Sequence, residues 1–194
     1  MTGSNSAGSI EFINSGAVNS AKLKVEGIDT VLQYRSRLDS LLPGWSMNAR
    51  LAWTHLLDGY SIDLPGAPKD VFAGEIGTAK NRVNASLGIN SDKVGVSFTG
   101  TYIGKSYNDD ASLEACCGLG PHAIKIDPEF YLDTQVTFTP VRQYEFFLGV
   151  DNLLDNKAPN LFQGDPFTVT GSDTAADVYD IFGRRFYAGA RLRF

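Results

Sequence analysis

The sequence predicts an all-β chain, an antiparallel up-and-down transmembrane β-barrel with about eight strands. Three observations lead there. Successive segments alternate apolar and polar side chains, and because neighbouring side chains on a strand point to opposite faces, each segment has one oily and one polar face. The connections between segments alternate short and long, which gathers every long loop at one end, as membrane barrels do and as a soluble sandwich has no physical reason to do. Finally, the alternation runs to the terminal aromatic. In Gly183 to Phe194, residues Phe186, Ala188, Ala190, Leu192 and Phe194 share one face, and Arg185, Tyr187, Gly189, Arg191 and Arg193 the other.

Composition narrows the classes. With 194 residues, 43% hydrophobic and 20% charged, and a mean hydropathy of -0.12, the chain suits one domain and is too polar for a bundle of membrane helices. No window approaches the roughly 18 apolar residues that a spanning helix needs, so any crossing must use strands, whose hydropathy signal is weak. A net charge of -5 argues against a nucleic-acid binder. The opening, Met1 to Gly8, has neither a cationic nor an apolar region, so it is not a signal peptide. The expectation is therefore either a soluble chain or part of a longer one whose export signal is missing. His55 and His122 lie far apart without ligand-spaced partners and read as strand or surface residues rather than metal ligands.

Taken in order, Ser9 to Asn14 is an incomplete strand, followed by a turn over Ser15 to Ser20. Ala21 to Leu38 is a long strand, with Ile28, Thr30, Leu32 and Tyr34 opposing Gly27, Asp29, Gln33, Arg35 and Arg37, and Leu41-Leu42-Pro43-Gly44 closes it. Trp45 to Leu57 sends Trp45, Met47, Ala49, Leu51 and Trp53 outward, and Ser46, Asn48, Arg50 and Thr54 inward. The span from Trp45 to Trp53 is comparable with the apolar band of a membrane barrel, so the pair could mark its two aromatic girdles; two core tryptophans of a sandwich are the alternative. A Gly- and Pro-rich loop covers Asp58 to Ala79. Strands follow over Arg82 to Asn90 and Val94 to Tyr107, then a loop from Asn108 to Asp127 holding Cys116-Cys117, then a hairpin from Phe130 to Asp151 that turns at Pro140 to Gln143. The loop Asn152 to Asp180 leads to the last strand.

The inward set, Asp29, Arg35, Arg50, Asn84, Thr99, Asp133, Gln135, Glu145, Arg191 and Arg193, is dense in both charge signs. Such a face requires water or a polar plug. The opposite face of Trp, Phe, Leu, Val and Ala requires lipid, since that much contiguous apolar surface would aggregate in water.

The terminal Gly189, Leu192 and Phe194 resemble the signal read by the barrel assembly machinery in bacterial outer-membrane β-barrels. Gly149-Val150-Asp151-Asn152-Leu153-Leu154-Asp155-Asn156-Lys157 resembles the penultimate-strand motif of TonB-dependent receptors, with Leu154 where Phe is commoner. Val25-Glu26-Gly27-Ile28-Asp29 is similar to an earlier strand opening of that family, with Asp29 for the usual Glu. The resemblance implies that residues 1–194 are the last strands, about eight, of a 22-stranded outer-membrane barrel, whose plug domain and N-terminal strands lie outside the chain. It implies import of a bulky scarce nutrient, such as an iron-siderophore, vitamin or oligosaccharide, by the full-length receptor. Expected partners are outer-membrane lipid, the assembly machinery, that small nutrient and, only through the plug, TonB.

From the residues alone, Asn152-Leu153-Leu154-Asp155 ends a strand and turns the chain, because Asn and Asp bond their own backbone; it receives no ligand role. The competing reading is an independent eight-stranded barrel that binds a small molecule, which the short Ser9 to Asn14 strand counts against. An enzyme is least favoured: no nucleophile-base spacing, phosphate loop or carboxylate pair rises above the strand pattern, and no cofactor is indicated. Substrate identity and ligand-contacting residues stay open. Cys116 and Cys117 are expected as exposed loop residues that bind no metal, their mutual disulfide being disfavoured by the roughly 3.8 Å that a trans peptide fixes between adjacent Cα atoms.

Overall fold

The computed structural model describes residues 22–161 and 174–194. In chain order the elements are β1 (Lys22–Arg37), β2 (Ser46–Ile62), β3 (Asn81–Asn90), β4 (Val94–Ile103), β5 (Ser106–Tyr107), α1 (Asp110–Cys117), β6 (Lys125–Ile126), β7 (Glu129–Val141), β8 (Tyr144–Asp151) and β9 (Arg185–Leu192). Seven strands form one antiparallel sheet in the order β1-β2-β3-β4-β7-β8-β9, while β5 and β6 pair separately. The sheet is not closed: among the described residues β1 and β9 are its edges. The expected strand over Ser9 to Asn14 lies outside the described residues, which hold the other seven strands of the sheet.

Register keeps the two chemistries apart. One continuous row runs Tyr34, Ala49, Leu87, Phe98, Thr134, Val150, Phe186 across all seven strands. The adjacent row, Gln33, Arg50, Ser86, Thr99, Asp133, falls on the other face. Trp53, Phe138 and Phe146 join the first face; Glu145 and Arg191, which pair with each other, join the second. A one-residue slip anywhere would invert a strand, so the alternation itself holds the register.

Several boundaries differ from expectation for local reasons. A β-bulge lies between Glu26 and Gly27, where Leu57 is left without a partner; a side chain at Gly27 would put its Cβ 2.9 Å from the His55 carbonyl oxygen. Beyond the bulge β2 continues to Ile62, and Lys24 pairs with Glu26 at 2.8 Å and Asp58 at 2.9 Å. Strand β4 stops at Ile103 instead of Tyr107, because Gly104 turns to donate its N–H to the Asn81 carbonyl at 2.8 Å and Ser106–Tyr107 then pairs with β6. Strand β9 begins after Gly183, whose φ of 69° is left-handed, and ends at Leu192, leaving Phe194 beyond the strand and fully exposed.

The core is not in the middle of the sheet. Ile103, Ile126, Tyr131, Leu161 and Tyr179 form a buried cluster backed by Ile76, Ala79, Ala158, Ala175 and Val178. Ile103 and Tyr131 come from the loop ends of β4 and β7, on the polar face; the others come from the long connections. Mid-strand Phe138 and Phe146 are by contrast 47% exposed.

Candidate functional site

The three long connections, residues 63–80, 104–128 and 152–184, all leave the same end of the sheet and tie to one another there. Ile76 donates to the Tyr107 carbonyl at 2.9 Å and Tyr107 to the Gly74 carbonyl at 3.0 Å, joining the first loop to the second. Buried Ser106 and Tyr179 hydroxyls meet at 3.2 Å, joining the second to the third, and burial pushes the Tyr179 phenol pKa up.

The motif Asn152-Leu153-Leu154-Asp155 fastens the third loop to the sheet. Asn152 (φ 50°) and Asp155 (φ 57°) are both left-handed, a conformation that Asn and Asp tolerate better than other non-glycine residues. Asn152 is 1% exposed. Its backbone N–H reaches Asp133 Oδ1 at 2.8 Å, its Nδ2 donates to the Asn156 carbonyl at 2.8 Å and to Asp180 Oδ2 at 3.3 Å, and its Oδ1 accepts the Asn156 N–H at 3.0 Å. Asp155 Oδ1 accepts the Arg184 N–H at 3.0 Å and Lys157 Nζ at 2.9 Å, bonds that hold its carboxyl below the usual carboxylate range. The sequence reading of a strand end and redirecting turn is what the structure places here, with a latch added.

Two cavities open beneath and beside these loops. One, of about 490 Å³, sits on the polar face; Asp133, Asp151, Asp180 and Arg185 meet Tyr131, Tyr179 and Phe182 around it, and Arg185 lies 3.4 Å from Asp151. The other, of about 610 Å³, runs between the first loop and α1, lined by Asp63, Lys69, Asp70, Asp110, Glu114 and His122 among others. Near it Glu75 is 8% exposed and accepts the Asp110 N–H at 3.1 Å. Burial first, then Asp109, Asp70 and Asp110, push its carboxyl up to about 7. Around the first cavity acidic side chains meet aromatic rings, whereas the second is lined by charged side chains with Ala, Pro and Val between them. Both cavities escaped the sequence reading because their walls come from segments far apart in the chain.

The remaining expected residues are placed as follows. Gly189 pairs with Phe147, whose ring covers it; a Cβ there would fall within 2.3 Å of the ring. Leu192 is the last residue of β9, exposed and opposite Tyr144, and Phe194 lies past the strand, so the three do not meet. His55 Nδ1 lies 2.8 Å from Asn81 Oδ1; His122 packs on the Tyr107 ring at 4.2 Å and sits 3.3 Å from Asp110. Cys116 and Cys117 are exposed, but they end α1 instead of lying in irregular loop and are joined to each other. That corrects the expectation that adjacency would keep them apart.

No family model matches the sequence, and no curated protein matches it. Among solved structures, the chain is similar to a variant of the ferric enterobactin receptor of Pseudomonas aeruginosa, at 22% identity and TM-score 0.60, covering 91% of this chain and 23% of the receptor. A second variant matches at 22% and 0.58, and a third, solved in complex with enterobactin, at 21% and 0.55. The chain has the fold of an outer-membrane receptor barrel. It spans about a quarter of the length of the receptors it matches.

Proposed function

We propose that the chain forms the C-terminal wall, residues 1–194, of a 22-stranded TonB-dependent receptor in the Gram-negative outer membrane. The receptor imports a bulky scarce nutrient, with an iron-siderophore the best-supported class given the receptor it resembles in fold. The observation that carries this reading is the sheet's inverted chemistry: an apolar row from Tyr34 to Phe186 on the face away from the loop core, charges on the face toward it, and long connections at one end only. Such a sheet loses free energy when its apolar face meets lipid, and its unpaired edges demand further strands, because unsatisfied backbone groups in hydrocarbon cost several kcal/mol each. Those strands, the plug and the TonB contact belong to the rest of the receptor, and the nutrient enters from the loop end. Gly189, Leu192 and Phe194 serve the assembly machinery.

The test is depth. In bilayers containing brominated lipid, Trp53 fluorescence in a receptor carrying this wall is expected to be strongly quenched; a Trp substituted for Gln135, on the opposite face, is expected to be quenched little. Equal quenching at the two positions would overturn the reading.

A further inference from the structure

Cys116 and Cys117 are the two cysteines of the chain, and neither belongs to the buried cluster of the loops. Cysteine is among the most buried residue types; these two are exposed and joined to each other at the last turn of α1. A disulfide that fastens a fold gains most when it closes a long loop, and a bond between neighbours closes almost none. What remains is reactivity, because exposed disulfides are the ones that small thiols reach and reduce. The two sulfurs are not equivalent. Cys116 Sγ lies 3.8 Å from the carbonyl oxygen of buried Leu113. Cys117 follows Glu114 by three residues, so the two share a helix face, and exposed Glu114 also lines the cavity of about 610 Å³. The surroundings are acidic. Residues 108–120 hold Asp109, Asp110 and Glu114 and no Lys or Arg, and a helix C-terminus adds partial negative charge. Across the cavity Asp63 and Asp70 accompany a single Lys69, and His122 sits against Asp110.

We propose that Cys116–Cys117 is a thiol–disulfide exchange site that takes a low-molecular-weight thiol bearing an ammonium group, with the adduct formed on Cys117. The incoming thiolate attacks Cys117 Sγ, the sulfur on the Glu114 face, and a new S–S bond forms there. The bond between the two cysteines breaks, its electron pair leaves with Cys116 Sγ, and that sulfur takes up a proton. The resulting S–H, a weak donor, is left within reach of the Leu113 carbonyl. A second thiolate that attacks the small-molecule sulfur of the adduct releases Cys117 as a thiol and departs as a symmetrical disulfide. Two electrons have then passed from two thiols to the pair. The ammonium group is attracted by Glu114 and by the end of α1, where an anionic thiol is repelled. The chemistry stands on the pair and its surroundings; only the side from which the thiol arrives, the nutrient side, rests on the barrel reading.

The experiment uses a full-length receptor carrying this wall, reconstituted in vesicles that contain brominated lipid. It is treated with cysteamine, or with 2-mercaptoethanesulfonate at equal thiolate concentration, and quenched with N-ethylmaleimide. The tryptic peptide from Ser106 to Lys125, which holds both cysteines, is then read by mass spectrometry. The expected product carries the thiol on Cys117 and the maleimide on Cys116. Cysteamine is expected to react at least about fivefold faster at low salt, an advantage that shrinks as salt rises and in Glu114→Gln. Absence of any thiol adduct on this peptide, equal rates for the two thiols, or an adduct carried by Cys116 would each overturn the proposal. Trp53 quenching in the same vesicles reports the wall separately: its loss would overturn the barrel reading and leave the exchange result standing.

Discussion

The sheet and the loop cap are stabilised from opposite sides. The cap buries its own apolar groups, Ile126, Leu161 and Tyr179 against Ile103 and Tyr131, and ties its first two loops together by backbone bonds such as that from Ile76 to Tyr107. The sheet holds its strands by lateral hydrogen bonds and leaves Leu32, Leu148 and Phe186 between 58% and 72% exposed. On the proposed reading, the cap is stabilised by its own contacts, whereas the wall is stabilised by the lipid against it. An environment-dependent wall should respond to changes that touch the lipid face and be indifferent elsewhere; the cap should respond to its internal chemistry.

The largest expected effect lies on the wall. Phe146→Arg at mid-sheet should cost about 2 to 4 kcal/mol in a bilayer, while Gln135→Arg on the opposite face should cost well under half of that. Urea unfolding of the receptor in lipid vesicles measures both. Equal costs would erase the difference between faces on which the comparison depends.

The next effect belongs to the cap. Because the Glu75 carboxyl stands at about 7 against an ordinary value of 4.5, the folded cap holds its proton more tightly than the opened cap does. Below pH 4.5 both states are protonated and the cap has its full stability. As pH rises toward 7 the opened state ionises first, so stability falls across that window and levels off above it, by at most about 3 kcal/mol. Hydrogen exchange at the Asp110 amide should therefore speed up from pH 5 to 8 beyond the intrinsic base-catalysed trend. Glu75→Gln should abolish the excess, and amides of β8 should show none.

Asn152 joins the two regions, so its loss should be felt by both. Asn152→Ala removes three side-chain bonds and leaves a left-handed residue without the tolerance of Asn, at about 1 to 2 kcal/mol. Asn152→Gly relieves the backbone and should recover part of that. If Gly and Ala are equally damaging, the side-chain bonds to Asn156 and Asp180 carry the whole effect. Thermal unfolding followed by loop proteolysis separates cap loosening from wall unfolding.

How much of this could be read beforehand follows the same division. The wall was legible because its order is local: the alternation through Trp53, Phe98 and Phe146 assigns faces without knowledge of which strands pair. Its bulge was not, since Gly27 and Leu57 reveal it only once β1 and β2 are in register. The cap was largely illegible. Ile103, Ile126, Leu161 and Tyr179 are scattered over segments with no period, and α1 lies in a stretch that reads as loop because Asp110 to Cys117 has no strong apolar stripe. The latch was half legible: Asn152 and Asp155 announce a turn, but Asp133, Asp180 and Arg184 arrive from elsewhere. The pairing of charges on the polar face was equally hidden, since composition gives their signs and only register gives their neighbours.

The smallest expected effect tests whether the paired charges of β8 and β9 hold the wall together. Glu145 lies against Arg191 and Arg193, and those arginine side chains are 60% and 61% exposed. In such solvent the Coulomb gain is largely screened and two long side chains lose rotamer freedom to hold it, so an exposed pair is typically worth less than about 1 kcal/mol. Glu145→Gln should accordingly shift wall stability by only a few tenths of a kcal/mol, with the shift shrinking as salt rises. Strand pairing between Tyr144 and Leu192 persists through backbone bonds that the substitution does not touch. A loss approaching that of Phe146→Arg would mean that the lumen face, not lipid, stabilises this part of the wall, and the contrast between wall and cap would then have to be redrawn around buried charge.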